Sequence, residues 1–202
     1  MTEEVKRGSY TPLWILIAVC AFPYIAGTVY FQFRDKLPET GTTNYGTLVQ
    51  PVREIGPVRL ALLDGSEMDI SGLGKKWLML YLVDSACTEP CQKDLYYMRQ
   101  VRKALAADRF RVNRLLLLDH AALETDALRK MLEAFPGMYA ASLEPDSKKH
   151  LYSILKIDTD DIFGKILLID PLGNFMLEYP RGPDPTKMLK DIKKLLDVSR
   201  IG

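Results

Sequence analysis

Histidine is almost missing from this chain. Only two occur in 202 residues, His120 and His150, which excludes a metal site built from several imidazoles. An excess of one charge is missing too. Lysine and arginine number 27 against 26 acidic residues, a net charge of +1. The charges are well mixed, so no basic footprint for nucleic acid exists and no such partner is expected. There is no G-x-x-x-x-G-K-S/T loop and no dinucleotide fingerprint. No Ser-His-Asp set stands out, and no internal repeat or low-complexity tract is present. What remains is an ordinary globular composition, 48% hydrophobic, long enough for one core plus appendages.

One long hydrophobic run stands apart. Pro12 to Phe33, PLWILIAVCAFPYIAGTVYFQF, carries no charge and is long enough to cross a bilayer as one helix. Trp14 lies near one end and Tyr30 and Phe31 near the other, as an interfacial aromatic belt requires. Pro23 is tolerated in a membrane helix. A cleaved signal peptide is the alternative, and the only candidate cleavage site is at Ala26-Gly27. Cys20, mid-span, reads as a packing residue. Lys6 and Arg7 precede the run and Arg34 and Lys36 follow it, so the positive-inside rule does not orient it. The short N-terminal tail favours a signal-anchor in the inner membrane, with the globular part in the periplasm. Paired thiols agree with an oxidising compartment.

Those thiols are Cys87 and Cys91, in Cys87-Thr-Glu-Pro-Cys91. The motif follows the apolar run Trp77–Val83 and precedes a helical pattern from Lys93 to Ala107. A helix N-terminus carries positive partial charge and free N–H groups. A cysteine there has its thiolate stabilised and becomes nucleophilic or metal-binding. Residues four apart share a helix face, which brings the two sulfurs within reach of a disulfide or a shared soft metal ion. Pro90 suits a first helical turn. A plain structural bridge or two inert buried cysteines is the bland alternative.

The rest of the chain divides into a tail (1–11), the anchor (12–33), a Gly/Thr-rich linker (34–51) and a domain (52–202). Within the domain, Val58–Leu63 and Met68–Ile70 flank the hairpin turn Asp64-Gly65. Trp77–Val83 and Val112–Leu118 read as strands buried on both faces. Thr125–Phe135 reads as a helix opened by Glu124 and Asp126 and stopped by Pro136-Gly137. Lys148–Leu155 reads as a short helix. Lys165–Asp170 and Asn174–Tyr179 flank the turn Asp170-Pro-Leu-Gly173, and Pro185–Val198 is a final amphipathic helix. A right-handed crossover makes the motif strand and Val112–Leu118 parallel neighbours. A parallel pair joined by a helix, then an antiparallel hairpin and a closing helix, is the thioredoxin plan. The expected fold is α/β and thioredoxin-like, with an extra N-terminal β-hairpin, an inserted segment at 136–163, and one transmembrane helix ahead of it.

With its anchor, its C-x-x-x-C after a buried strand and its Asp170-Pro-Leu-Gly-Asn-Phe hairpin, the chain resembles the Sco/SenC/PrrC group over Val58 to Val198. The resemblance implies a membrane-anchored factor that delivers copper to, or reduces the thiols of, the dinuclear copper centre of cytochrome c oxidase. It implies Cys87 and Cys91 as the site, Cu(I) as the metal, and the oxidase's copper-bearing subunit or another thiol-containing membrane protein as partner. Two features depart from the group. Thr88 and Gln92 stand where the group has proline after each cysteine. The stretch Asp158-Thr-Asp-Asp-Ile-Phe-Gly164 lacks the group's histidine ligand.

His120, at the carboxyl end of Val112–Leu118, is the candidate substitute, since α/β sheets place sites at strand carboxyl ends. A solvated or Asp119-paired loop histidine is the bland alternative. His150 reads as exposed. Met68, Met79 and Met98 offer thioethers suited to Cu(I), although methionine at such spacing is more often core. Asp158, Asp160 and Asp161 read as a solvated loop. Three readings stand open: a Cu(I)-binding oxidase-assembly factor, a thiol–disulfide oxidoreductase with Cys87 attacking and Cys91 resolving, and a non-catalytic scaffold with a structural disulfide.

Overall fold

The computed structural model describes residues 10–33, 43–73, 75–84, 86–119, 126–156 and 162–199. They fall into two compact units, divided between Thr42 and Thr43.

In the first unit, helix α1 spans Thr11–Phe33. Its 23 residues carry no charge and none is buried. At 1.5 Å per residue it is about 35 Å long, against a hydrocarbon core of about 30 Å. By length and composition it suits a single membrane span. The hydroxyl of Thr28 donates to the Tyr24 carbonyl at 2.8 Å, so that hydroxyl is satisfied within the helix itself.

The second unit is built on strands β1 (Thr47–Glu54), β2 (Arg59–Leu62), β3 (Glu67–Asp69), β4 (Trp77–Val83), β5 (Val112–Leu118), β6 (Tyr139–Leu143), β7 (Ile166–Ile169) and β8 (Asn174–Tyr179). Helices α2 (Glu89–Ala104), α3 (Asp126–Leu132), α4 (Pro145–Leu155) and α5 (Pro185–Val198) pack around them. One eight-stranded sheet results, in the order β1-β8-β7-β4-β5-β6-β2-β3. β4 pairs parallel with β5 and antiparallel with β7, and β5 pairs parallel with β6. β7 and β8 form the antiparallel hairpin, closed at Asp170, whose carbonyl accepts the Gly173 N–H at 3.0 Å. The thioredoxin plan is present, and β2–β3 is the extra hairpin, joined to the sheet through β6.

All seven residues of β4 are buried, which is why the run is apolar throughout. Trp77, Met79, Tyr81 and Val83 face the core formed with α2, α3 and α5. Leu78, Leu80 and Leu82 face the opposite core, under α4 and the segment of Ile55 and Val58.

Two strands were not foreseen. β1 lies across the expected boundary between linker and domain, and its Pro51 obscures it in the sequence. Proline removes a ladder donor and is tolerated on an edge strand; β1 is such a strand, and its register with β8 breaks between Leu48 and Arg53. β6 lies inside the segment read as an insertion. Its Tyr-Ala-Ala-Ser-Leu sequence has no β-branched residue, yet four of its five residues are buried against β5 and β2. Boundaries also moved. α2 begins at Glu89, ahead of Lys93, and ends at Ala104, followed by 3-10 turns over Ala106–Arg111. α4 begins at Pro145, a residue pre-set for a first helical turn. α3 is shorter than expected, at seven residues.

Candidate functional site

β4 ends at Val83, and the chain passes through Cys87 into α2, whose N-cap is Thr88. Pro90 sits in the first turn, where its missing N–H costs nothing. Cys87 and Cys91 form a disulfide across this junction, with Cα atoms 5.2 Å apart. The two are unequal. Cys91 belongs to the core that includes Leu95 and Met98, and is 6% exposed; Cys87 packs against that core only partly buried. Gln92, standing where the resembled group has proline, donates from Nε2 to the Cys87 carbonyl at 3.1 Å, and from its backbone N–H to the Thr88 carbonyl at 3.0 Å. The side chain therefore fastens the first cysteine's backbone to the helix start.

Cys91 lines a cleft of about 560 Å³. On one side stand Tyr81, Cys91 and Asp94; on the other stand Phe163, Gly164 and Arg181-Gly182. The far wall is held by backbone. Gly164 donates its N–H to the Leu82 carbonyl at 2.9 Å, and Arg181 donates from Nε to the Phe163 carbonyl at 2.8 Å. Gly164 adopts φ +76°, and a Cβ there would meet Arg181 Nε at 3.3 Å. The positive φ favours glycine at that position, and a Cβ would also crowd the Arg181 side chain.

Asp94 is the buried charge of the site, 2% exposed. Its Oδ2 accepts the Gly182 N–H at 3.3 Å and the Tyr81 hydroxyl at 3.4 Å, both long bonds. Its Oδ1 has no hydrogen-bond partner. Burial holds the Asp94 carboxyl above its ordinary value, opposed by the Gly182 N–H, the Tyr81 hydroxyl and Lys93. Burial, then the neighbouring Asp94, pushes the Tyr81 phenol up. Neither residue emerged from the sequence. The one available signal was a carboxylate one position before Leu95, on the face of α2 that also carries Met98 and Val101.

His120, Asp158, Asp160 and Asp161 lie outside the described residues. Asp119, beside His120 in sequence, accepts from Lys148 Nζ at 2.9 Å and from the Tyr152 hydroxyl. His150 is exposed on α4, and a Cβ on Gly56 would lie 3.5 Å from its Nε2. Met79 and Met98 are fully buried in the core, and Met68 packs partly buried in the other core. Among the described residues no group of three or more His, Cys, Asp or Glu is arranged to hold a metal ion.

Fold and site together define a thioredoxin-like protein with a C-x-x-x-C disulfide at the strand-to-helix junction. The chain belongs to the family described as transmembrane-like, thioredoxin-like, C-terminal domain, which it matches over residues 77–199. No protein of curated function matches it in sequence. Solved Sco structures share its fold. Copper-bound ScoI from Bradyrhizobium japonicum is 20% identical, with a TM-score of 0.56, covering 69% of this chain and 97% of that one. BsSco, a member of the Sco family of cytochrome c oxidase assembly proteins in which a disulfide switch was identified, is 14% identical, with a TM-score of 0.57, covering 74% and 96%. The thioredoxin domain of a thiol-disulfide oxidoreductase from Bacteroides vulgatus is 16% identical, with a TM-score of 0.53, covering 70% and 94%.

Proposed function

We propose that this protein is a membrane-anchored thiol–disulfide exchange factor of Sco type, which reduces the cysteines of a copper centre such as that of cytochrome c oxidase. The carrying observation is the inequality of the pair. Cys87 is partly exposed just before α2, and Cys91 is buried one turn in. In the dithiol state, Cys87 thiolate attacks a partner disulfide, stabilised by the N-terminus of α2. A mixed disulfide forms and one partner thiolate leaves. Cys91 then attacks Cys87 sulfur, releases the partner's second thiolate and restores the intramolecular disulfide. Two electrons pass to the partner, and a dithiol reductant resets the cycle. The domain works in the periplasm, tethered by α1 in the inner membrane; paired thiols, which suit an oxidising compartment, support this side.

The test uses full-length protein in detergent with Cys91 replaced by alanine. Cys87 should then trap the oxidised copper-binding domain of an oxidase subunit as a stable mixed disulfide. Absence of that adduct, with the partner's disulfide intact, overturns the reading.

A second reading takes Cu(I) as cargo, and the copper-bound Sco neighbours favour it. The reduced thiols supply two soft donors, and His120 is the proposed third. Exchange is placed first because the stretch Asp158 to Gly164 lacks the histidine ligand of the resembled group. If copper is the cargo, the reduced protein takes up about one Cu(I), and His120→Ala weakens binding about tenfold or more. If the Cys87→Ser/Cys91→Ser double variant still supports full oxidase assembly, both readings fail and a scaffold role stands.

A further inference from the structure

Three arginines meet between α2, β5 and the turn that leads into β6. Arg99 and Arg102, three residues apart, share a face of α2. Arg114 is on β5, where side chains alternate between faces, so it shares the face of Val112 and Leu116 and points to the core that α2 covers. All three meet neutral partners. Arg99 donates from Nη1 to the Ala134 carbonyl at 2.6 Å, Arg114 from Nη2 to the Pro136 carbonyl at 2.7 Å, and Arg102 from Nε to the Val112 carbonyl at 2.7 Å. Among the described residues no carboxylate is hydrogen-bonded or ion-paired to any of them. Arg109 adds a fourth positive charge beside Arg102. Arg114 is 1% exposed, and its Nε and Nη1 have no hydrogen-bond partner; Arg99 Nε is buried and unpartnered as well. Burial, then the neighbouring Arg102 and Arg99, push the Arg114 guanidinium down to about 10. Buried charges are normally paired and buried donors bonded, so like charges with idle N–H groups ask for an anion.

We propose that Arg99, Arg102 and Arg114 form a binding site for a phosphate-type oxyanion, separate from the cysteine pair and independent of the exchange reading. A guanidinium presents a flat fork of N–H donors that matches the oxygens of phosphate or carboxylate. Phosphate suits this set better. It carries up to two negative charges, and its tetrahedral oxygens can be shared between donors that arrive from a helix and from a strand. Arg114 Nε and Nη1 and Arg99 Nε supply bonds without giving up those to the carbonyls. The carbonyl bonds hold the forks in place beforehand, which lowers the cost of ordering them on binding. The Tyr96 and Phe135 rings fix Arg99 further, its guanidinium standing 5.1 Å from one centroid and 5.8 Å from the other. Arg99 and Arg102 are only half-buried, so an anion reaches the cluster past them. None of the three lines the cleft at Cys91. Inorganic phosphate and the headgroup of an anionic lipid present the same oxygens to such a site.

The test uses the full chain in a phosphate-free detergent, titrated calorimetrically with inorganic phosphate at an ionic strength fixed with chloride. The parent should take up about one phosphate per chain. Arg99→Gln and Arg102→Gln should each weaken binding by about tenfold or more, the loss expected for a hydrogen bond to a charged group. Arg114→Met, which keeps the buried volume apolar, should abolish it. Lys103→Gln, at an exposed position of α2 beside Arg102 in sequence, should leave it unchanged. Dihexanoyl phosphatidylglycerol, titrated in the same way, separates the two sources. The tighter of the two probes names the source, and either result supports the site. The proposal is overturned if neither probe binds saturably up to the millimolar range, or if the arginine variants bind as the parent does. It is also overturned if Lys103→Gln weakens binding as much as the arginine variants do, since diffuse positive charge would then be the cause. If Arg114→Met does not fold, the Arg99 and Arg102 variants decide.

Discussion

Asp191 accepts the backbone N–H of Gly46 at 2.8 Å. The same carboxylate takes the Tyr45 N–H at 2.9 Å. Asp191 is on α5 and is 2% exposed, so the last helix pins the residues just before β1. Gly46 has no side chain because the Tyr179 ring lies over it: a Cβ there would fall 2.8 Å from Cε1. Tyr179 is itself 2% exposed and cannot swing into solvent without opening the core.

Removing that acceptor should loosen the start of β1. Asp191→Ala leaves two backbone N–H groups without their partner, and each lost partner of this kind costs about 1–3 kcal/mol. Gly46→Ala should destabilise by a different route, by displacing a buried ring. Thermal unfolding of the full chain in detergent measures both. Unchanged midpoints in both variants would show that the contact carries no stability.

The two thiols should react in order. After reduction, in the Cys20→Ala background, iodoacetamide should label Cys87 about tenfold or more faster than Cys91, because the first is partly exposed and the second is buried on the core-facing side of α2. Mass spectrometry of time points reads the order directly. Equal rates, or Cys91 labelled first, contradict the assigned roles of attacker and resolver.

The cysteines and the sheet centre were legible in the sequence for one physical reason. Trp77–Val83 and Val112–Leu118 are buried on both faces, so nothing polar interrupts them except Asn113 and Arg114. Arg114 is 1% exposed and donates from Nη2 to the Pro136 carbonyl at 2.7 Å, a pairing that no local pattern announces. β1 and β6 were hidden by composition, the first by Pro51 and the second by small residues whose burial comes from neighbouring strands. The far wall of the cleft was hidden by distance. Arg181 and Gly182 lie some ninety positions from Asp94 and meet it only because β7 and β8 fold back beside β4. Asp94 was written into a pattern that counted apolar residues, and a lone carboxylate among them drops out of such a count.

Breaking the disulfide should cost little stability, because it closes a very short loop, with a sequence separation of 4. Chain-entropy reasoning gives about 2 kcal/mol for a loop of that size. In a domain of this size that corresponds to a fall in Tm of about 4–8 °C. Thermal unfolding with and without a dithiol reductant measures it. Complete unfolding on reduction at ambient temperature would mark the bond as a structural staple and favour the scaffold role over exchange.

Asp94 should also set a pH dependence of stability. Its folded-state pKa is raised above the ordinary 3.8 by burial. A carboxyl so raised binds its proton more tightly folded than unfolded. Its contribution is therefore fully favourable below about pH 3.8, is lost as pH rises through the folded-state value, and stays constant above it. Asparagine carries no such charge, and its side-chain oxygen keeps an acceptor for Gly182 and Tyr81. Asp94→Asn should gain stability relative to the parent as pH rises from 3 towards neutrality, and the gap should then level off. Denaturant midpoints for both proteins between pH 3 and 8 give the difference directly. A gap that runs the other way, with the parent gaining on the variant as pH rises, would mean that the folded site stabilises the ionised carboxylate, against the effect of burial.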